Sequence, residues 1–144
     1  MKKLFFSAFV CLLAFVGHAQ EFSNSATSTD FQKEQYAIYP GCESKKTAVA
    51  QQKCFGEKFN KFLNQHFNNE LPGKLELKGR LTMYIFFKIN KDGVIENVRT
   101  RTPHPELDQE IKRVLESFPK VKPASQKGKP ISIMCTIPFI FTVV

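Results

Sequence analysis

The stretch RTPHPELD, residues 101–108, holds the residue types an acid–base site would need. His104 stands between two prolines, with Glu106 and Asp108 close behind, and an imidazole beside a carboxylate can move protons. The same residues also describe the start of a helix. Pro103 ends a strand because it cannot donate to a ladder. Pro105 suits a first helical turn, where its missing N–H is no loss. Glu106 and Asp108 fall where the helix dipole favours negative charge. Each neighbour of His104 therefore has a structural task, and His104 is expected at the N-cap. The other internal histidine, His66, adjoins an aromatic helical stripe and reads as a boundary residue.

The chain opens MKKLFFSAFVCLLAFVGHAQ. Lys2 and Lys3 precede an apolar run over residues 4–16, broken only by Ser7, and Gly17-His18-Ala19 is a small-residue cleavage pattern. This is the layout of a secretory signal peptide cut after Ala19. The run is shorter than the roughly 20 residues that a spanning helix needs. The expected product is exported to the periplasm, with at most peripheral membrane contact. Of the formal net charge of +8, Lys2 and Lys3 supply two that leave with the signal. The remaining lysines are scattered, which reads as a solvated basic face, although such a face can favour anionic surfaces.

Export changes the reading of the cysteines, since disulfides persist outside the cytoplasm. Cys42 and Cys54 lie close together in GCESKKTAVAQQKC, which suits a bridge closing a short loop. The rival is a metal site, but zinc prefers four ligands in tightly spaced pairs, and no matching pair follows. The disulfide is favoured and no cofactor or metal is expected. Cys135 is then an unpaired thiol.

Three kinds of element must position these residues. CFGEKFNKFLNQHF sets Phe55, Phe59, Phe62, Leu63 and Phe67 at helical spacing. RLTMYIFFKIN alternates, with Leu81, Met83, Ile85, Phe87 and Ile89 on one face and Tyr84 and Phe86 on the other. NKDG is a hairpin signal, and VIENVRTRT follows as the partner strand, with Val94 and Val98 sharing a face. Leu107, Ile111, Val114, Leu115 and Phe118 trace one side of a second helix. ISIMCTIPFIFTVV closes the chain as a strand with Ile131, Ile133, Cys135, Ile137, Phe139 and Phe141 facing inward. Pro138 argues for a sheet edge, and Cys135 reads as a small buried hydrophobe.

The order helix, strand, strand, helix, strand builds an α+β two-layer sandwich. Its three-stranded antiparallel or mixed sheet has strand order 2-1-3, with both helices on one face. A right-handed crossover brings in the last strand. Residues 1–19 form the signal, residues 20–38 a polar disordered leader without sustained apolar period, and residues 39–144 the domain.

This order and several local signatures resemble the C-terminal domain of the energy transducer TonB. The pieces that carry the resemblance are Tyr39-Pro40, FKINKDGVIENV, PHPELDQEIKRVLESFPK, KPASQKGKPISI and IPFIF. The YPGCE opening with a second cysteine looks like a variant in which a disulfide ties down the lead-in. The resemblance implies a protein-binding module without catalysis, linked to TonB-dependent transport. In the family the last strand pairs with a short peptide of outer-membrane transporters. Carried over, the pairing edge runs Ile131, Ser132, Ile133, Met134, Cys135, Thr136, Ile137, Pro138, Phe139, Ile140 and Phe141. Residues 20–38 hold no proline, whereas the family's transducers have a long proline-rich linker. Val121 stands where many relatives carry a tryptophan.

Two other readings compete. One is an envelope module whose basic face binds peptidoglycan or another anionic surface. The other is an enzyme, for which the chain offers no nucleophile elbow, no phosphate loop and no metal-ligand spacing. Outward Tyr84 and Phe86 could stack bases, but export counts against nucleic acid. They leave an apolar patch that suits a homodimer contact or a partner.

Overall fold

The computed structural model describes residues 34–144. The expected signal peptide and most of the polar leader lie outside these residues.

Helix α1 (Ala48–His66) starts at Thr47, whose backbone is extended and whose Oγ1 accepts the Ala50 N–H at 3.2 Å. That cap lies upstream of Cys54, where the aromatic period begins. The first turns carry alanines and glutamines, good helix formers that leave no apolar signature. Phe55, Phe59 and Leu63 are buried against the sheet. Phe59 stacks on Phe87 with ring centroids 5.0 Å apart, and Phe118 packs over both Phe59 and Phe62. A short helix α2 (Leu71–Lys74) then occupies the Leu-Pro-Gly turn.

Strands β2 (Gly79–Ile89) and β3 (Ile95–Arg101) form the hairpin. Asn90 builds its turn, since its Oδ1 accepts the N–H groups of Asp92 and Val94, both at 3.0 Å. Gly93 is required twice over. Its φ is +79°, and a Cβ there would stand 1.7 Å from the Val121 carbonyl oxygen. The close approach is used, because Gly93 O accepts the Val121 N–H at 3.0 Å and pins the hairpin to the later loop.

A bulge corrects the expected face of β3. The register passes from Lys88 opposite Glu96 to Phe86 opposite Arg99, so Asn97 and Val98 together oppose one residue, with Asn97 at φ 55°. The extra residue shifts the alternation by one. Ile95 and Val98 therefore pack on the core, while Val94 lies exposed ahead of the strand.

Helix α3 (Pro105–Glu116) crosses the same face and buries Leu107, Ile111, Val114 and Leu115. Glu110 ties it to the end of α1: its carboxylate takes the Asn68 N–H at 2.9 Å and binds Arg113, which donates to His66 O. The chain then forms a two-residue hairpin, β4 (Ser125–Gln126) and β5 (Lys129–Pro130). The final strand β6 (Ile133–Val143) runs antiparallel to β2 along its whole length. The main sheet has order β3–β2–β6 with both long helices on one face, as the pattern of elements implied.

The folded region reaches farther upstream than Tyr39. Glu34 and Gln35 form β1, paired with β4, and Ile38 exchanges backbone hydrogen bonds with Lys122 at 2.9 and 3.0 Å. Ala37 and Ile38 are buried. Polar side chains around a few apolar ones masked this segment, because it pairs by backbone. Cys42 and Cys54 are disulfide-bonded, with Cα atoms 6.0 Å apart, which fastens the lead-in to α1.

Candidate partner-binding edge

The candidate site is one border of the sheet. Among the described residues β6 pairs only with β2, so its second lateral row of N–H and C=O groups belongs to no ladder there. The hairpin shows which residues carry that row. Asn90 N–H donates to Val94 O, and lateral direction alternates along an antiparallel strand. Lys88, Phe86 and Tyr84 therefore direct their backbone groups to β3, and Phe87, Ile85 and Met83 to β6. In the register of β2 with β6, Cys135, Ile137 and Phe139 answer them. Met134, Thr136, Pro138 and Ile140 point away from the domain. Pro138, opposite Tyr84, thus costs the sheet nothing: its missing N–H is on the free side. An incoming strand needs no acceptor opposite it.

The same alternation sorts the side chains. Cys135, Ile137 and Phe139 are buried, whereas Met134 is 72 % and Ile140 45 % exposed on the uncovered face. Tyr84, 40 % exposed, lies on that face too. A shallow apolar depression of about 480 Å³ beside it is lined by Phe86, Met134 and the stems of Arg99 and Arg101. The strand itself begins two residues later than expected. Ile131 and Ser132 join β5 to β6, with the Ile131 N–H held by Ala124 O at 2.8 Å.

On the helix side, a groove of about 290 Å³ runs between β6 and α1. Its walls are residues 134–138 of β6, Gln52, Phe55, Gly56 and Asn60 of α1, and Tyr36. Tyr36 is anchored at both ends: its N–H donates to Gln51 Oε1 at 2.9 Å, and its hydroxyl lies 3.1 Å from Cys135 Sγ. Burial, reinforced by that contact, pushes the Tyr36 phenol far above its usual range. Burial also pushes the Cys135 thiol up. A thiol held protonated is a poor nucleophile.

Of the groove's lining, Gln52, Gly56, Asn60 and Tyr36 were missed in the sequence, whereas Phe55 was read as part of the helical stripe. Gln52, Gly56 and Asn60 recur every fourth residue, beside the aromatic stripe, and read as ordinary solvent-facing positions. The available signal was Gly56, a glycine inside a helix, which costs about 1 kcal/mol relative to alanine and usually has a packing reason.

His104 occupies the N-cap of α3, its Nδ1 accepting the Glu106 N–H at 3.3 Å, while Thr102 Oγ1 donates to its carbonyl. Asp108 faces Thr100 and Lys112, whose hydrogen bonds hold its carboxyl below the usual range. These residues start a helix and fasten it to β3. His66 donates from Nδ1 to Phe62 O and stacks on Phe62. Among the described residues, no cluster of three His, Cys, Asp or Glu could hold a metal.

A helix-backed sheet whose outer strands β3 and β6 are each unpaired on one side among the described residues has the kind of border at which binding modules add an extended chain by backbone pairing. Residues 76–143 match the family described as the Gram-negative bacterial TonB protein C-terminal, and the chain carries a TonB C-terminal domain. The family is one of envelope-located, transport-associated domains that contact outer-membrane transporters. The match begins at Glu76, so α1, the disulfide and the lead-in lie ahead of it. No curated protein matches the chain. Among the described residues, no helix is long and apolar enough to cross a membrane.

Proposed function

We propose that the chain is an exported, periplasmic module that pairs the β6 border with an extended peptide segment of an outer-membrane transporter, in the service of TonB-dependent transport. Residues 1–19 direct export and are removed after Ala19. Residues 131–141, the stretch carried over from the family, contain the pairing row, which narrows to Met134, Thr136 and Ile140 as donors, with Pro138 adding an acceptor.

The observation that carries this reading is the free lateral row of β6. Most sheet borders are blunted by charge, bulges or cover. This one is eleven residues long, regular in register, and carries no charged side chain between Ile133 and Val143. Such a border is left open where a strand is to be added.

A photo-crosslinking residue at Thr136 or Ile140 in intact cells tests the proposal. Capture of transporter peptide segments supports it. Recovery of glycan alone would favour the anionic-surface reading, whose binding should also fall steeply with salt.

A further inference from the structure

The side of the main sheet away from the helices combines apolar side chains with uncompensated positive charge. Cross-strand partners share a face, so the register sets Arg101, Tyr84 and Pro138 in one row and Arg99, Phe86 and Thr136 in the next. Arg80 stands on the same face farther along β2, opposite Thr142. Tyr84, Met134 and Ile140 are exposed there. The three arginines are exposed too, and among the described residues none of them forms an ion pair. Glu96, the one carboxylate in these rows, is already held by Lys88 at 3.1 Å.

We propose that this open face docks an acidic amphipathic helix of a partner protein, with two carboxylates one turn apart on Arg99 and Arg101 and an apolar stripe over Phe86, Tyr84 and Met134. The face offers side chains and no ladder, so a segment laid on it must satisfy its own backbone groups. A helix does so and a lone strand does not. The outer strands of a three-stranded sheet lie about 10 Å apart, close to the roughly 10–12 Å diameter of one helix. Arg99 and Arg101, two residues apart on a strand, are separated by about 7 Å. Carboxylates at i and i+4 on a helix stand about 6 Å apart along its axis, within reach of two flexible guanidinium groups.

The distribution of charge selects among occupants. Arg99 and Arg101 lie along the β3 border, whereas β6 contributes Met134, Pro138 and Ile140 and no cation. An amphipathic helix with an acidic flank divides in the same way. A second copy, face to face, would bring no free carboxylate, and its arginines would be desolvated without counter-charge. An anionic bilayer surface presents charge on every side of an apolar patch, and the β6 side has nothing to meet it. This contact covers the face of the sheet and leaves the β6 border open, so it does not depend on strand pairing.

The test displays a library of peptides about five helical turns long, with Leu and Phe fixed along one stripe and Glu, Lys, Gln or Ser varied beside it, against the purified chain. Selected peptides should carry Glu pairs four residues apart, shift the amide resonances of Phe86, Arg99 and Arg101, and bind more weakly as salt rises. Arg99→Glu/Arg101→Glu should lose about 10-fold or more in affinity, as two ion pairs become two repulsions, at an unchanged melting temperature. The same peptide with lysine in place of glutamate should recover binding to that variant. Arg99→Gln/Arg101→Gln, which reverses no charge, should remove the preference for acid without disturbing the fold. A library without binders, binders without acidic pairs, or equal binding by a peptide broken with a central proline overturns the inference. So does binding to anionic vesicles in place of peptide, or self-association of the chain that Met134→Asp abolishes. Strand pairing at β6 is read separately, by amide exchange at Met134, Thr136 and Ile140, and stands or falls on its own.

Discussion

Thr136→Pro isolates the pairing row from the fold. Thr136 directs its N–H away from β2, so a proline there removes no bond of the ladder. Its neighbour Cys135 is already extended, as the residue before proline must be. The stability of the free domain should change by less than about 1 kcal/mol, in keeping with an exposed substitution. The added strand loses more. One donor disappears, and the partner carbonyl opposite it is left unpaired in a drying interface, at about 1–3 kcal/mol. By the relation of tenfold per 1.4 kcal/mol, affinity should fall roughly 5- to 150-fold. Ile137→Pro supplies the reverse case. Ile137 is buried and bonds to Ile85 across the ladder. Losing that bond and part of the side chain should cost at least ~3 kcal/mol, lowering the melting temperature by more than about 10 °C. Thermal melting followed by circular dichroism reads the first quantity; crosslinking yield or peptide anisotropy reads the second. The reasoning is refuted if Thr136→Pro melts as Ile137→Pro does, or if it binds its partner as the parent does.

Phe59→Ala should destabilise the domain by about 3–5 kcal/mol, because Phe59 is fully buried against Phe87 and Phe118; urea denaturation measures it. Reducing the Cys42–Cys54 bridge, which closes a loop of sequence separation 12, should cost about 3 kcal/mol in the chain-entropy account. Melting with and without reductant checks this, with Cys42→Ser/Cys54→Ser as the comparison. Asp108 and Glu110 are held below the usual carboxylate range, by Thr100 and Lys112 for the first and by Arg113 and the Asn68 N–H for the second. Their folded pKa values are depressed, so the stability they lend is present above pH ~4 and lost as pH falls through the folded values. Melting temperature should therefore drop on acidification below about pH 4, and Thr100→Val should flatten that drop.

Much of the architecture was legible because period and punctuation are local. Alternation over residues 80–89 and 131–144 could only be strand, NKDG could only turn, and Pro105 with its two acids opened a helix whose cap is His104. Spacing, read with the expected export, was also enough to favour the Cys42–Cys54 bridge over a metal. Three errors share one cause. Thr47 begins α1 ahead of its aromatic stripe, Glu34–Gln35 pair with β4 through polar groups, and the bulge at Asn97 puts Val98 on the inward face with Ile95 and leaves Val94 on the other. Hydrogen bonds decided each conformation, a local cap at Thr47 and pairing with other segments at Glu34–Gln35 and Asn97, and side-chain pattern carries no record of them.

The border of the sheet marks the same division. From sequence, the last strand was apolar, interrupted by Pro138, and suited to an edge. Which of its residues face outward was settled by the register with β2, set in turn by the hairpin at Asn90. That Gln52, Gly56 and Asn60 of α1 stand beside that edge came only from the packing of helix on sheet. Local composition determines what each segment is, through propensity and period. Which faces meet, and what is left unsatisfied between them, is settled by contacts between residues far apart in the chain.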